Sequence, residues 1–410
     1  MARIHTKPSL YLIVLLILMF SGCGSEIVED TEENELAQEM EDRSEDESDA
    51  NKEMEVSQDM VETVLDNMSL EEKAGQVLMP AFRKDEWGAP IQTIHNNLQT
   101  TLNQLKPGGI ILFSENIRDE QQLKALIQDL QETSDISLLI AVDEEGGRVS
   151  RLTGKEIVFP ELPGNRALGL TKDLPQIRNS GKVLGKRLRE LGFNMNMAPV
   201  ADVDSNPANP VIGERSFGSD PELVATLAVT QAEGMMEEGV IPVFKHFPGH
   251  GDTGADTHFG QVVLPHTRER MEKVELVPFQ KGIDHGIPVI MTAHLMVPAY
   301  DESHPATLSE AILTDLLRGK MGFKGLIVTD ALEMAAISNE WDSGEAAVMA
   351  LKAGADLLLM PSEPLEAHKA IIAAVKKERL SEERLDESVV KILRLKKEYK
   401  LTIGTLENKK

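Results

Sequence analysis

The chain has 410 residues, with 68 acidic against 42 basic side chains and a formal net charge of −26 at pH 7. Neither its acidic leader nor the rest is strongly basic, which argues against nucleic acid as a partner. A single cysteine excludes an intramolecular disulfide framework.

Residues 1–22 place Arg3 and Lys7 ahead of an apolar run from Leu10 to Phe20. That run is too short to cross about 30 Å of hydrocarbon as a helix, so it reads as the apolar core of a signal peptide. Cys23 follows Phe20-Ser21-Gly22, an arrangement that resembles the lipobox of bacterial lipoproteins, where the cysteine is lipidated and becomes the mature N-terminus. The resemblance implies an extracytoplasmic protein anchored to the bacterial cell membrane by lipid. The alternative is an ordinary secretory signal that leaves Cys23 as a free thiol. Residues 23–58 are mostly Glu, Asp, Ser and Asn. Such a segment buries too little apolar surface to offset its ordering entropy, and its like charges repel, so it is expected to be a disordered tether. Residues 59–410 remain, a comfortable length for a single elaborated α/β barrel domain.

Within 59–410, short apolar runs suited to buried parallel strands recur at 74–82, 108–113, 138–143, 194–200, 241–246, 288–294, 325–330 and 355–361. Helix-like stretches separate them, among them 119–133, 220–239 and 343–354. Asp220 is placed to cap a helix with Pro221 at its first position, and Ser381 to cap the last one, with Leu380 and Leu385 as a hydrophobic staple. Eight repeats predict a (β/α)₈ TIM-type barrel. An open doubly wound sheet is the rival, and it would carry a glycine-rich phosphate turn after its first strand, which AGQVLMPAFRKDEW lacks.

Polar residues sit where these runs end. Asp143 closes the third, Lys245 and His246 the fifth, His294 the sixth and Asp330 the seventh, while Arg215 follows the fourth. Barrel active sites form at the carboxyl rim from the βα loops, so these groups are expected to converge on one mouth. Beside Asp143, side-chain alternation allows only one of Glu144 and Glu145 to face that mouth with it.

The densest stretch is KHFPGHGDTGADTHFG, from Lys245 to Gly260. As a metal cage it offers His246, His250, Asp252, Asp256 and His258. The first run supplies no His-x-His pair, the eighth ends without a carboxylate, and Lys245 adds positive charge beside the ligands, so no metal is expected. As an acid/base device it needs fewer groups. Asp256 and His258 are two apart, a spacing that lets a carboxylate fix the imidazole tautomer, and Asp330 facing Arg and Lys would stay ionised and nucleophilic. A carboxylate nucleophile beside an acid/base suits retaining glycoside hydrolysis. Gly249 and Gly251 read as turn-permitting, His250 and Asp252 as loop-shaping. His294 is open between a ligand-facing and a core role.

At IAVDEEGGRVSRL, GERSFG, KHFPGHGDTGADTH and IVTDALEM the sequence resembles glycoside hydrolase family 3, in particular its β-N-acetylhexosaminidases, across roughly Met60 to Leu401. The resemblance implies Asp330 as nucleophile, His258 as acid/base and Asp256 as its partner. It implies that Asp143, Arg151, Arg215, Lys245 and His246 contact the sugar, and that no cofactor is required. Thr257 stands where many relatives carry serine, and the hydroxyl is kept. The implied activity is removal of terminal β-linked N-acetylglucosamine, with cell-wall glycan or muropeptide fragments as substrates given a membrane anchor. A β-glycoside phosphorylase or another β-glycosidase of the same family, and a lipid-anchored sugar-binding protein, are the rivals.

Overall fold

The computed structural model describes residues 60–258 and 260–404. The signal-peptide segment, Cys23 and the tether lie outside the described residues. Ten short strands follow in chain order: β1 (Leu78–Met79), β2 (Gly109–Leu112), β3 (Leu139–Val142), β4 (Met195–Asn196), β5 (Ile241–Phe247), β6 (Val262–Val263), β7 (Val289–Thr292), β8 (Leu295–Met296), β9 (Leu326–Val328) and β10 (Leu358–Leu359). Six of them form one parallel sheet in the order β2-β3-β4-β5-β7-β9. β1 and β10 pair with each other, also in parallel. Backbone bonds from Gly108 N to Leu78 O (3.0 Å) and from Thr329 N to Leu357 O (3.0 Å) join that pair to both edges of the sheet, so the eight strands form a ring. β6 and β8, from the loops after β5 and β7, make a separate small parallel ribbon.

Helices lie between the strands, and side chains of β2, β3, β5, β7 and β9 are buried on both faces. This is why those strands read as continuous apolar runs with no alternation. The helix caps form as expected. Asp220 accepts the amide of Leu223 at the start of helix Pro221–Glu237, and Ser381 accepts that of Arg384 at the start of Glu382–Glu398. Leu380 and Leu385 are both buried beside the second cap.

Three strands keep only two residues of the apolar runs that suggested them. Ser69 and Glu72 form a capping box that starts helix Leu70–Gln76, so Ala74 to Gln76 are helical and only Leu78–Met79 remain extended. The fourth run keeps only Met195–Asn196, with Val200 rejoining the sheet through a single bridge to Lys245. Pro199 has no N–H to offer a ladder there. The eighth run stops at Leu359 because Met360 adopts a left-handed conformation, φ 48°.

Candidate active site

The strand ends place the polar residues around one cavity of about 330 Å³. Asp143, Arg151, Arg215, Lys245, His246, His258 and Asp330 all line it, from the ends of β3, β5 and β9 and the loops after β3, β4 and β5. Asp256 stands behind His258. Lys245 and His246 are consecutive in β5 yet both reach the cavity, and the pairing of β5 with β7 shifts register between Phe244 and Phe247 at that point.

Charges on one wall are locked together. Lys245 Nζ lies 2.6 Å from Asp143 Oδ1 and 2.7 Å from Glu145 Oε1. Arg215 grips Glu145 with two bonds, Nε to Oε2 at 2.9 Å and Nη2 to Oε1 at 2.8 Å, and Arg151 Nη2 reaches Asp143 Oδ2 at 3.3 Å. Desolvation alone would raise the Asp143 and Glu145 carboxyls. Lys245 and Arg151 outweigh it at Asp143, and Arg215 and Lys245 at Glu145, so both stay ionised well below the usual range. Glu145 is a site residue that the sequence reading left unassigned, although alternation already allowed it to face the mouth with Asp143. Glu144 turns the other way. Its Oε2 accepts Ser150 Oγ and the Arg151 amide, both at 2.9 Å, and burial pushes its carboxyl up to about 7.

Asp202 was also unassigned. It is fully buried after β4, where its Oδ1 accepts the amides of His246 (3.1 Å) and His250 (2.7 Å) and its Oδ2 lies 2.7 Å from His246 Nδ1. Its carboxyl is held low against desolvation, chiefly by His246. An ionised carboxylate can only accept, so His246 Nδ1 carries the proton in this contact and Nε2 is left for the cavity.

The loop after β5 carries the dyad. Asp256 Oδ1 accepts the His258 amide at 2.9 Å and lies 2.7 Å from His258 Nδ1. Desolvation opposes ionisation of Asp256, but the His258 amide and ring outweigh it and hold the carboxyl low. The His258 side chain is 62% exposed, so its Nε2 is open to a ligand. The loop is moulded only in part as the sequence suggested, since His250 also lines the cavity. His250 is buried with Nδ1 2.9 Å from Thr253 Oγ1, and Gly249 has φ 120°. Gly251 serves close approach, since a Cβ there would meet Val203 O at 1.9 Å.

Opposite the loop, Asp330 follows β9. Desolvation would raise its carboxyl, but the facing His246, the Ala331 amide and Lys245 hold it low. Ala331 N donates to Asp330 Oδ1 at 2.8 Å. His294 proves to be the hydrogen-bonded core histidine: it is fully buried, with Nδ1 2.8 Å from Thr307 Oγ1 and Nε2 2.9 Å from Ala331 O. Arg83 and Phe113, from the ends of β1 and β2, also line the cavity, Arg83 paired with Glu333. The Arg83 and Arg151 guanidiniums lie 5.1 and 5.2 Å from the Phe113 ring centre. Nothing in the local sequence marked Arg83 or Phe113.

Of the five potential metal ligands between His246 and His258, Asp256 and His258 bond each other, His246 is held by Asp202, His250 by Thr253 and Asp252 by His266. Among the described residues, one group of three could hold an ion: Asp252, His266 and Glu275, with ligand atoms within 4.8 Å of one another. Arg270 Nη2 already reaches Asp252 Oδ2 at 3.3 Å and Glu275 Oε1 at 3.1 Å, and so supplies the positive charge that the two carboxylates require.

Fold and site define a parallel strand-helix ring with a cavity lined by carboxylates, imidazoles and cations at its carboxyl rim. Residues 69–395 match the glycosyl hydrolase family 3 N terminal domain, and the chain belongs to that family. It is 36% identical over 360 residues to beta-hexosaminidase A of Pseudoalteromonas piscicida, covering 78% of this chain and 60% of the relative. To the beta-hexosaminidase of Chromobacterium violaceum it is 39% identical over 274 residues, covering 65% and 75%. The solved family 3 beta-N-acetylglucosaminidase of Paenibacillus sp. str. FPU-7 superposes with a TM-score of 0.78 at 40% identity, over 84% of this chain and 65% of that one. The chain thus spans about three fifths to three quarters of these proteins' length.

Proposed function

We propose that this protein is a retaining β-N-acetylhexosaminidase that removes terminal β-linked N-acetylglucosamine. The observation that carries this reading is the Asp256–His258 contact of 2.7 Å, exposed on the cavity that Asp330 also lines. In the first step an Asp330 oxygen attacks the anomeric carbon and the glycosidic C–O bond breaks. His258 Nε2 gives its proton to the leaving oxygen while Asp256 stabilises the imidazolium. In the second step His258 takes a proton from water, the water oxygen attacks the anomeric carbon, and the Asp330 carboxylate departs. Two inversions retain the β configuration.

Asp143, Lys245, Arg215, Arg151 and His246 hold the sugar in this reading, offering fixed donors and acceptors to its hydroxyls. The ion pairs that order them are complete before substrate arrives, so little reorganisation is needed on binding. With Cys23 lipidated on the outer side of the cell membrane and residues 23–58 as a tether, the substrates are cell-wall fragments with N-acetylglucosamine linked to N-acetylmuramic acid.

The test is turnover of a chromogenic β-N-acetylglucosaminide against the matching β-glucoside, with product analysis in phosphate buffer. Preference for the N-acetyl sugar and release of free N-acetylglucosamine support the reading. A sugar phosphate as main product makes the enzyme a phosphorylase, and binding without turnover makes it a sugar-binding protein.

A further inference from the structure

We propose that His294 is a positioning residue for Asp330, the turning point of a hydrogen-bond circuit that starts and ends on the backbone of residues 330 and 331. The inference rests on the reading of Asp330 as nucleophile.

Four contacts build the circuit. Asp330 N lies 3.3 Å from Thr292 Oγ1, and Thr292 Oγ1 lies 2.7 Å from Thr307 Oγ1. Thr307 Oγ1 is 2.8 Å from His294 Nδ1, and His294 Nε2 is 2.9 Å from Ala331 O. Thr292, His294 and Thr307 are fully buried. They come from the end of β7, from two residues beyond it and from the turn Ala306–Leu308, and they converge on the residues just past β9.

Donor chemistry fixes the direction. A backbone amide only donates, so Asp330 N–H gives to Thr292. A carbonyl only accepts, so Ala331 O takes its proton from His294 Nε2. A neutral imidazole then has a bare Nδ1, which accepts the Thr307 hydroxyl, and Thr307 in turn accepts that of Thr292. Each hydroxyl donates once and accepts once. Thr307 Oγ1 also lies 3.0 Å from Ala293 O. Donation there would force a second proton onto the wholly buried His294, and burial drives this imidazole toward the neutral form.

The consequence falls on the nucleophile. Ala331 is held at its carbonyl by His294 and at its amide by Asp330 Oδ1, so one carboxylate oxygen is committed and the other is left for the anomeric carbon. Loosening Ala331 frees the carboxylate to rotate, and misplacing an attacking atom by about 1 Å costs on the order of 100-fold in rate.

The experiment uses the full-length protein and 2,4-dinitrophenyl β-N-acetylglucosaminide, whose leaving group needs little protonation, so that the dinitrophenolate burst reports attack by Asp330. His294→Leu and Thr307→Val should slow the burst about tenfold or more with substrate affinity nearly unchanged. His294→Gln, which places an amide donor near Nε2, and Thr307→Ser, which keeps the hydroxyl, should recover most of the rate. The double variant His294→Leu, Thr307→Val should be no slower than the worse single one, since both break one circuit. Wild-type burst rates in the Leu or Val variants, equal loss in the Gln and Leu variants, additive losses, or an effect on affinity alone would each overturn the proposal. Should His294→Leu fail to fold, the Thr307→Val and Thr307→Ser pair decides it. Mass spectrometry of the trapped enzyme separates the two layers. Sugar on another residue rejects Asp330 as nucleophile, whereas sugar on Asp330 with unaltered burst rates rejects only the circuit.

Discussion

His258 Nδ1 sits 2.7 Å from Asp256 Oδ1, and the same oxygen accepts the His258 backbone amide at 2.9 Å. One carboxylate oxygen thus holds both the ring and the main chain of the residue two positions on. The ring is committed at Nδ1, and with the side chain 62% exposed, Nε2 is the nitrogen left open.

Leaving-group chemistry separates this dyad from Asp330. Asp330→Ala should abolish the glycosyl-enzyme for every substrate. His258→Ala should slow unactivated substrates by about 100-fold or more while a dinitrophenyl glycoside still forms the intermediate, which then accumulates for want of a base. Asp256→Ala should show a milder form of the same pattern. Azide should rescue His258→Ala and give a β-configured product, read by NMR; an α product contradicts two inversions.

Asp202 is expected to matter twice. Asp202→Ala leaves the buried amides of His246 and His250 without their acceptor, at a cost of about 1–3 kcal/mol each, read as a lower Tm. Asp202→Asn keeps one acceptor oxygen but offers His246 Nδ1 an N–H, which forces the opposite tautomer. The Asn variant should therefore fold near normally and lose about tenfold or more in kcat/KM. Full activity in that variant contradicts the assigned tautomer.

Glu144 predicts a pH-dependent stability. Its folded carboxyl is raised from 4.5 to about 7. The protonated form therefore stabilises the fold fully below the unfolded value, and that contribution is lost as pH rises through about 7. The loss is about 3 kcal/mol at most. Urea unfolding between pH 5 and pH 8 should show this decline in the wild type and not in Glu144→Gln. Parallel curves for the two proteins would refute it.

Prolonged treatment with a chelator should leave turnover unchanged, because Arg270 already bridges the carboxylates of Asp252 and Glu275 and no step of the proposed reaction calls on an ion. Loss of activity that zinc restores would point instead to an ion held by histidines of residues 246–258.

Anchoring is tested at Cys23. Cys23→Ala should move the protein from the membrane to the soluble or secreted fraction with activity retained. Retention on membranes after a high-salt wash would mean that the uncleaved apolar segment is the anchor.

The sequence by itself determined what depends on neighbours in the chain. The eight apolar runs, the caps at Asp220 and Ser381, the polar groups at strand ends and the Asp256–His258 pair are all local, and periodicity and short-range geometry expose them. Tertiary structure decided the rest. Asp143 meets Lys245 across 102 positions and Arg83 meets Glu333 across 250, so only the closing of the ring brings these partners together. Asp202 looks like any loop carboxylate until packing after β4 strips its water and hands its carboxylate to two amides and an imidazole. His294 stayed open between two roles in sequence for the same reason. Its role depends on which groups share its buried space, and they come from Thr307 and Ala331, 13 and 37 residues away. Strand lengths also fell to competition between elements. The Ser69 cap started a helix that satisfied the backbone groups of residues that read as strand, and the left-handed conformation of Met360 ended the eighth run.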